Sequence, residues 1–590
     1  MKKIHNRLYI VLTFIMVGML LLSVRLMHIQ LISTESFSDK QINLIEASVR
    51  QRTQEMVIDD GRGKLIDRNG KSLLYTKSNR LVLFPFLKEM DWPVEKVARV
   101  TGVSTMTLIS KVEQMTKPMM VGEELSAMQM EQINAFKIPG VFAVPIQKQK
   151  QSTLADHIVG ITAQSKTTIE DKYKDKLKKG EITITTPVGI SGLQRSFDEF
   201  LLPEQESKLL YHVDRRGGPL FGIDVKYTGA ANPFYPVNVH TTIDLSVQET
   251  LESIVDRNGL KEGGFVLLDV ETNEVVAMTS RPSVNKKNPY NQEKSIVNRM
   301  LIPQMPGSIF KTVVAAAAIE KNMDQANQLY NCDYSIHDKL LPEKKRQGKL
   351  NFTDSFAESC NRTFSDLAKK MSSTNPTILD EYAHRLGLTD QVGWSGDVFH
   401  FEEFRQFDTE GTNTIWHPED DKNDLNLVKL AAIGQRNVKL TPLSVANMMA
   451  TIARGGKKQS VKIVDEIQYK NGGSLYTFDD QKMVGEKISP YTALQLQRLL
   501  REVVTQEKGT GRRFQSLPYT VAGKSGTADI RMNAANKEIV NKWFAGYFPA
   551  EKPKYALVVV DLNTFSDVSP TNQIFYETVQ ALYTIDQRSS

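Results

Sequence analysis

The chain reads as a multidomain α+β protein: an N-terminal transmembrane helix, a β-rich domain, and a larger domain built on a central antiparallel sheet flanked by helices. Three observations predict this. Its 590 residues exceed one ordinary domain of roughly 150 residues. An uncharged, mostly apolar run from Leu8 to Val24 follows Lys2, Lys3 and Arg7. In the second half, strand patterns come first and last, with helical periodicity between them.

The apolar run is just long enough to span a bilayer. A cleaved signal peptide needs small residues at its cleavage site, yet the first alanine is Ala47. No cysteine follows closely enough for a lipoprotein signal. The run is therefore expected to stay as an anchor, with Met1–Arg7 cytoplasmic and the remainder on the outer face.

Between about Gln30 and Tyr235 the pattern is irregular and β-rich. Asp60-Gly61-Arg62-Gly63-Lys64-Leu65-Ile66-Asp67-Arg68-Asn69-Gly70 reads as two short strands around Gly-rich and Asn-Gly turns. Lys166 to Lys179 is a solvated helix or loop. The second half opens near Val239, and Gly264 to Ser280 is a hairpin around Glu271-Thr272-Asn273. Helices are predicted at Thr312–Lys321, Asp354–Met371 and Pro442–Arg454, and strands at Trp543–Phe548 and Tyr555–Asp561.

Three short motifs carry the chemistry. In Met305-Pro306-Gly307-Ser308-Ile309-Phe310-Lys311-Thr312, Pro-Gly punctuation before an Ala-rich run predicts a helix starting near Ser308. Residues three apart are neighbours there, so the Lys311 amine can serve as base for the Ser308 hydroxyl once burial or a second cation lowers its pKa. Ser359-Cys360-Asn361 places a hydroxyl and an amide two positions apart, able to relay a proton and hold a peptide carbonyl. Lys524-Ser525-Gly526-Thr527 follows a β-branched lead-in and reads as a strand. Gly526 would let a substrate approach the backbone. Ser525, Thr527 and the Lys524 ammonium make a site for a carboxylate. Gly523-Lys524-Ser525 is not the end of a phosphate-binding loop, because Pro518 stands where that motif needs glycine.

Together and in this order, S-x-x-K, S-x-N and K-S-G resemble the signature of the penicillin-interacting serine enzymes. Cys360 and Ser525 stand where the common version has Asp and Thr. Arg62 to Gly70 resembles the R-G-x-I-x-D-R-N-G segment of class B penicillin-binding proteins. Gly189-Ile190-Ser191-Gly192-Leu193-Gln194 is similar to their G-x-x-G-L-E, with Gln194 in place of Glu, and Asp214-Arg215-Arg216-Gly217 also fits. The Arg and Asp residues of these segments are expected to be structural, tying a non-catalytic lobe together.

The resemblance implies residues 1–29 as cytoplasmic tip and anchor, 30–236 as a pedestal of the dimerisation type, and 239–586 as the transpeptidase domain. It implies D,D-transpeptidation of peptidoglycan stem peptides ending in D-Ala-D-Ala, with covalent inhibition by β-lactams at Ser308. Ser308, Lys311 and Ser359 would be catalytic. Asn361, Lys524, Ser525, Gly526 and Thr527 would bind substrate, with backbone N–H groups of Ser308 and Thr527 for the oxyanion. No metal and no organic cofactor are expected. The expected partners are the membrane and a glycosyltransferase or polymerase of the wall-synthesis complex.

Composition excludes other classes. Hydrophobic content of 41% and charge of 24% describe a globular protein. The net charge of +6, from 74 basic and 68 acidic residues, gives no ground for nucleic-acid binding. Cys332 and Cys360 are the only cysteines, so there is no disulfide framework, and a bond between the two is left open. Neither H-E-x-x-H nor a serine–histidine triad is present. A D,D-carboxypeptidase or slow β-lactamase would use the same residues with water as acceptor. Glu402, Glu403 and Glu410 lie in a charged stretch read as a solvated loop, without a claim to activate that water. A β-lactam sensor would need a signalling domain larger than the short segment before the anchor. An idle scaffold has no reason to keep all three motifs.

Overall fold

The structure, a computed structural model, describes residues 2–34, 43–44, 53–150, 154–204, 206–212, 226–228, 232, 234–285, 295–532 and 537–589. Asp214–Gly217 lies outside them. A helix over Lys2–Met27, prolonged by a short π turn, contains the apolar segment Tyr9–Ile32, of mean hydropathy 2.4. Among the described residues it is the one helix long and apolar enough to cross a membrane.

The chain divides into two compact units. One comprises Met1–Arg62, Tyr75–Gln149 and Glu204–Ala231; the other comprises Gly63–Leu74, Lys150–Pro203 and Asn232–Ser590. The first unit holds two three-stranded sheets. In one of these, Tyr75–Leu83 pairs with both Met119–Leu125 and Val141–Gln149. Leu81, Leu83, Val121 and Val141 pack there against Val97, Leu108, Val112 and Ile133 of three short helices.

The second unit is organised by a five-stranded antiparallel sheet. Its order across the sheet is Val275–Arg281, Gly263–Asp269, Tyr555–Thr564, Glu538–Phe548 and Ala522–Met532. The inner strands are buried on both faces, which accounts for their unbroken apolar runs. On one face Phe265, Leu267, Phe544 and Leu557 pack with Leu251 and Ile254 of Leu245–Arg257 and with Phe575 and Val579 of Thr571–Ser589. The helix Pro442–Ala453, capped by Thr441, is buried along almost its whole length. The expected hairpin around residues 271–273 is present, with Asn273 at its turn in the left-handed region (φ 59°).

Two expectations change. The helix predicted over Asp354–Met371 is two helices, Phe352–Ala357 and Asn361–Ser372. They are separated at Glu358–Cys360, where Ser359 takes φ 63°. Apolar spacing carries through this break because both helices bury the same side, with Phe356 and Phe364 in contact. The stretch from Asp397 is not a solvated loop throughout. Ser395–Val398 pairs with Phe401–Arg405. Glu402 and Glu403 are exposed, but Glu410 is buried, accepting from the Val392 and Gly393 N–H groups, with burial raising its carboxyl to about 7. Both Glu410 oxygens are thus engaged by the backbone.

Asp67, Arg68 and Arg195 of the first-half motifs belong to the second unit and make structural contacts within it. Arg68 donates to the Thr242 carbonyl (2.9 Å) and pairs with Glu274 (3.1 Å). Asp67 accepts from the N–H of Asn69, Lys71 and Leu245. Arg195 pairs with Asp408 at 2.8 Å.

Candidate active site

The edge strand Ala522–Met532 meets the turn that begins the Ala-rich helix. That turn is a 3₁₀ element, Gly307–Phe310, running into the α-helix Lys311–Glu320. In a 3₁₀ turn, positions three apart eclipse, so Ser308 and Lys311 share a face as the sequence predicts. Three contacts pin the turn. Trp543 Nε1 donates to the Met305 carbonyl (3.0 Å), and the Gly307 N–H donates to the Gly434 carbonyl (3.0 Å). The third is a close backbone approach: a Cβ on Gly307, at φ +55°, would lie 2.1 Å from the Thr527 carbonyl oxygen.

The same packing places a second constraint on Gly526. A Cβ there would lie 2.4 Å from the Pro306 carbonyl oxygen and 2.8 Å from Ile309 Cγ1. The turn that carries Ser308 approaches Gly526, so the missing side chain lets strand and turn touch. Gly307→Ala should therefore displace Ser308. A misplacement of about 1 Å costs on the order of 100-fold in rate, so any acylation of Ser308 should slow by roughly that factor. Stopped-flow acylation kinetics will show it, and an unchanged rate would mean that the turn has slack.

Behind Ser308 lie two buried lysines. Lys311 Nζ donates to the Ser359 carbonyl (2.7 Å), Ser359 Oγ (3.1 Å) and Asn361 Oδ1 (2.6 Å). An ammonium has three donors, and all three are used. Lys524 Nζ donates to the same Ser359 Oγ at 3.0 Å and to the Ser525 carbonyl at 3.4 Å. Both lysines are fully buried, and no carboxylate is among their partners. Burial, and then the proximity of Lys524, hold Lys311 well below the ordinary lysine range. Burial lowers Lys524 to about 7.

Ser359 thus accepts from both amines, which leaves its own proton free to donate elsewhere. Its left-handed backbone comes from the helix break, and so does the placement of Asn361 at the start of the next helix. Cys360, between them, is disulfide-bonded to Cys332 with a Cα–Cα distance of 5.9 Å. That closes the question the sequence left open and ties the motif to the segment at residue 332. Ser308 is half-buried, and among the described residues its Oγ has no hydrogen-bond partner.

Along the edge strand, Lys524 turns inward while Ser525 and Thr527 lie on the opposite, partly exposed side. Ser525 Oγ donates to Thr510 Oγ1 (2.8 Å). The cation touching Thr527 is Lys542, whose Nζ donates to Thr527 Oγ1 at 3.0 Å. Sequence reasoning missed Lys542, because only the strand register sets it directly opposite Thr527. An ammonium cannot accept a hydrogen bond, so the Thr527 hydroxyl proton is left to point into the site.

A sequence model of the penicillin binding protein transpeptidase domain matches residues 263–580, more than half of the chain. The chain belongs to that family. A model of the penicillin-binding protein dimerisation domain matches residues 57–226. Among characterised relatives, the peptidoglycan D,D-transpeptidase FtsI of Escherichia coli is 26% identical over 387 residues, spanning 63% of this chain and 58% of FtsI. Stage V sporulation protein D of Bacillus subtilis is 24% identical, spanning 94% of this chain and 81% of that protein. The D,D-transpeptidase MrdA of Haemophilus influenzae is 24% identical, spanning 75% and 70%. A chain from a peptidoglycan synthase complex that coordinates polymerization and crosslinking has the same fold, with a TM-score of 0.63 at 21% identity over 98% of both chains. These likenesses and the N-terminal apolar helix mark a membrane-anchored class B penicillin-binding protein.

Proposed function

We propose that the chain is a serine D,D-transpeptidase that cross-links peptidoglycan stem peptides ending in D-Ala-D-Ala and is acylated by β-lactams at Ser308. The observation that carries this reading is the pair of buried lysines converging on Ser359 beside the Ser308 turn. In its deprotonated form, which burial and the neighbouring Lys524 favour, Lys311 takes the Ser308 proton as Oγ attacks the penultimate carbonyl. The N–H groups of Ser308 and Thr527 hold the oxyanion, a donor of that kind contributing about 3 kcal/mol. Ser359 passes its free proton to the leaving amine and is reprotonated from the lysine pair. Asn361 orients the peptide. Ser525 and Thr527 bind the terminal carboxylate, with Lys524 behind them. The amine of a second stem then resolves the acyl-enzyme.

In this reading residues 1–29 are tip and anchor, 30–236 form a pedestal of the dimerisation type and 239–586 carry catalysis. A polymerase of the wall-synthesis complex is the expected partner. The experiment is product analysis with a stem-peptide donor and an amine acceptor. Cross-linked product supports the reading, whereas hydrolysis alone would make the protein a carboxypeptidase or β-lactamase.

Two further outcomes are expected. Lys542→Ala should weaken recognition of the terminal carboxylate by about tenfold or more, the range for a hydrogen bond to a charged group. Acylation kinetics with a carboxylate-bearing β-lactam and its ester will measure this, and an equal loss for both would contradict it. The charges of Lys2, Lys3 and Arg7 before the apolar run support a cytoplasmic N-terminus, so protease added to spheroplasts should digest the catalytic unit. Full protection would reverse the orientation.

A further inference from the structure

A groove of about 780 Å³ opens from Ser359 and Asn361, within the volume range of ligand sites. Its walls are basic: Lys344, Lys345, Arg346 and Arg436 line it together with a single carboxylate, Asp529. Arg362 also lines it, but its charge is committed to Asp338 and Asp366. Among the described residues Lys344, Lys345, Arg346 and Arg436 form no ion pair, and Lys344, Lys345 and Arg436 are exposed.

Arg436 is held there at a conformational cost. It takes φ 61°, in the left-handed region that favours glycine. The two residues before it anchor the loop. The Gly434 carbonyl accepts from the Gly307 N–H (3.0 Å), and the Gln435 side chain accepts from the Asp529 N–H (3.2 Å) while donating to Asp529 Oδ2 (3.4 Å). The loop bearing Arg436 is therefore clamped to the nucleophile turn and to the edge strand at once. A non-glycine residue kept in such a conformation beside a catalytic centre is a reason to look for a role in its side chain.

We infer that this groove binds the upstream part of the donor stem peptide and selects for a free side-chain carboxylate on it. The inference rests on the transpeptidase reading. With the donor carbonyl at Ser308 and its terminal carboxylate at Ser525 and Thr527, the preceding residues leave past Asn361. Asn361 itself lines the groove. Among the described residues, four lining cations in no ion pair, Lys344, Lys345, Arg346 and Arg436, against the single carboxylate of Asp529 then favour an acidic occupant over a neutral or basic one.

The test compares two donor peptides with the same C-terminal dipeptide, one with an upstream side-chain carboxylate and one with the corresponding carboxamide. The full-length wild-type protein should be acylated about tenfold more efficiently by the acid, the scale of one charge-assisted hydrogen bond. Arg436→Gly keeps the left-handed turn and removes the charge, so it should erase most of that preference. Arg436→Lys should keep part of it, and Lys344→Ala/Lys345→Ala should also reduce it. Penicillin, which lacks the upstream peptide, should acylate all variants within about twofold of wild type, which also reports intact folding. Equal rates for acid and amide in the wild type, or a preference that survives both Arg436→Gly and the double variant, would overturn the inference. So would a carboxylate effect confined to the acceptor peptide. A wild-type protein that penicillin does not acylate would instead sink the transpeptidase reading, and this inference with it.

Discussion

Replacing Lys311 by alanine is expected to slow acylation of Ser308 by about two to four orders of magnitude, the usual range for loss of a general base. Lys311 is fully buried among Ser359 and Asn361, without a carboxylate partner and with a second buried lysine donating to the same hydroxyl. An ordinary lysine would be neutral in only roughly one molecule in 2,500 at pH 7. Burial and the neighbouring Lys524 lower that barrier by holding the Lys311 pKa well below its usual value. The sign of the pH effect follows. The base form is the deprotonated amine, so the acylation rate should rise with pH through the depressed Lys311 pKa and then level off well before pH 10. Lys524, lowered to about 7, titrates beside it, so the profile will report the pair rather than either residue alone. A Lys311→Ala variant acylated at the wild-type rate would remove Lys311 from the role of base.

Much of this site was legible in the sequence, because its three motifs are short and local. Ser308 with Lys311 needs only a turn, and Ser359 with Asn361 only a helix end. What the sequence concealed depends on long-range pairing. Lys542 meets Thr527 through strand register. Gly526 lets the Pro306–Ile309 turn pack against the strand, which is visible only once the two are packed. The break at Ser359 was hidden because apolar spacing continues across it, and a left-handed serine carries no signature in composition. Arg436 was silent for the same reason. The sheet was read from its terminal strands, but its order, with Ala522–Met532 at the edge beside the nucleophile turn, comes from pairing over hundreds of residues. The Asp397–Asp424 stretch misled because its charge density masks Glu410, whose carboxylate turns inward to two backbone N–H groups.

Replacing Ser308 by alanine is expected to abolish covalent capture of penicillin altogether while leaving the fold intact. The Ser308 hydroxyl is half-buried, has no hydrogen-bond partner among the described residues and sits on a turn fixed by Gly307, Gly434 and Trp543. Its removal deletes a nucleophile without breaking a packing contact or stranding a polar partner. Residual capture by another group is not expected. Ser359 Oγ is occupied by Lys311 and Lys524, and Ser525 Oγ by Thr510.

The direct measurement is intact-mass analysis of the full-length protein after exposure to penicillin, followed by peptide mapping of the adduct. The account predicts one penicilloyl group per wild-type chain, on the peptide containing Ser308, and none on Ser308→Ala. An adduct of the same mass on the Ala variant, or one mapped to any other residue of the wild type, would contradict it.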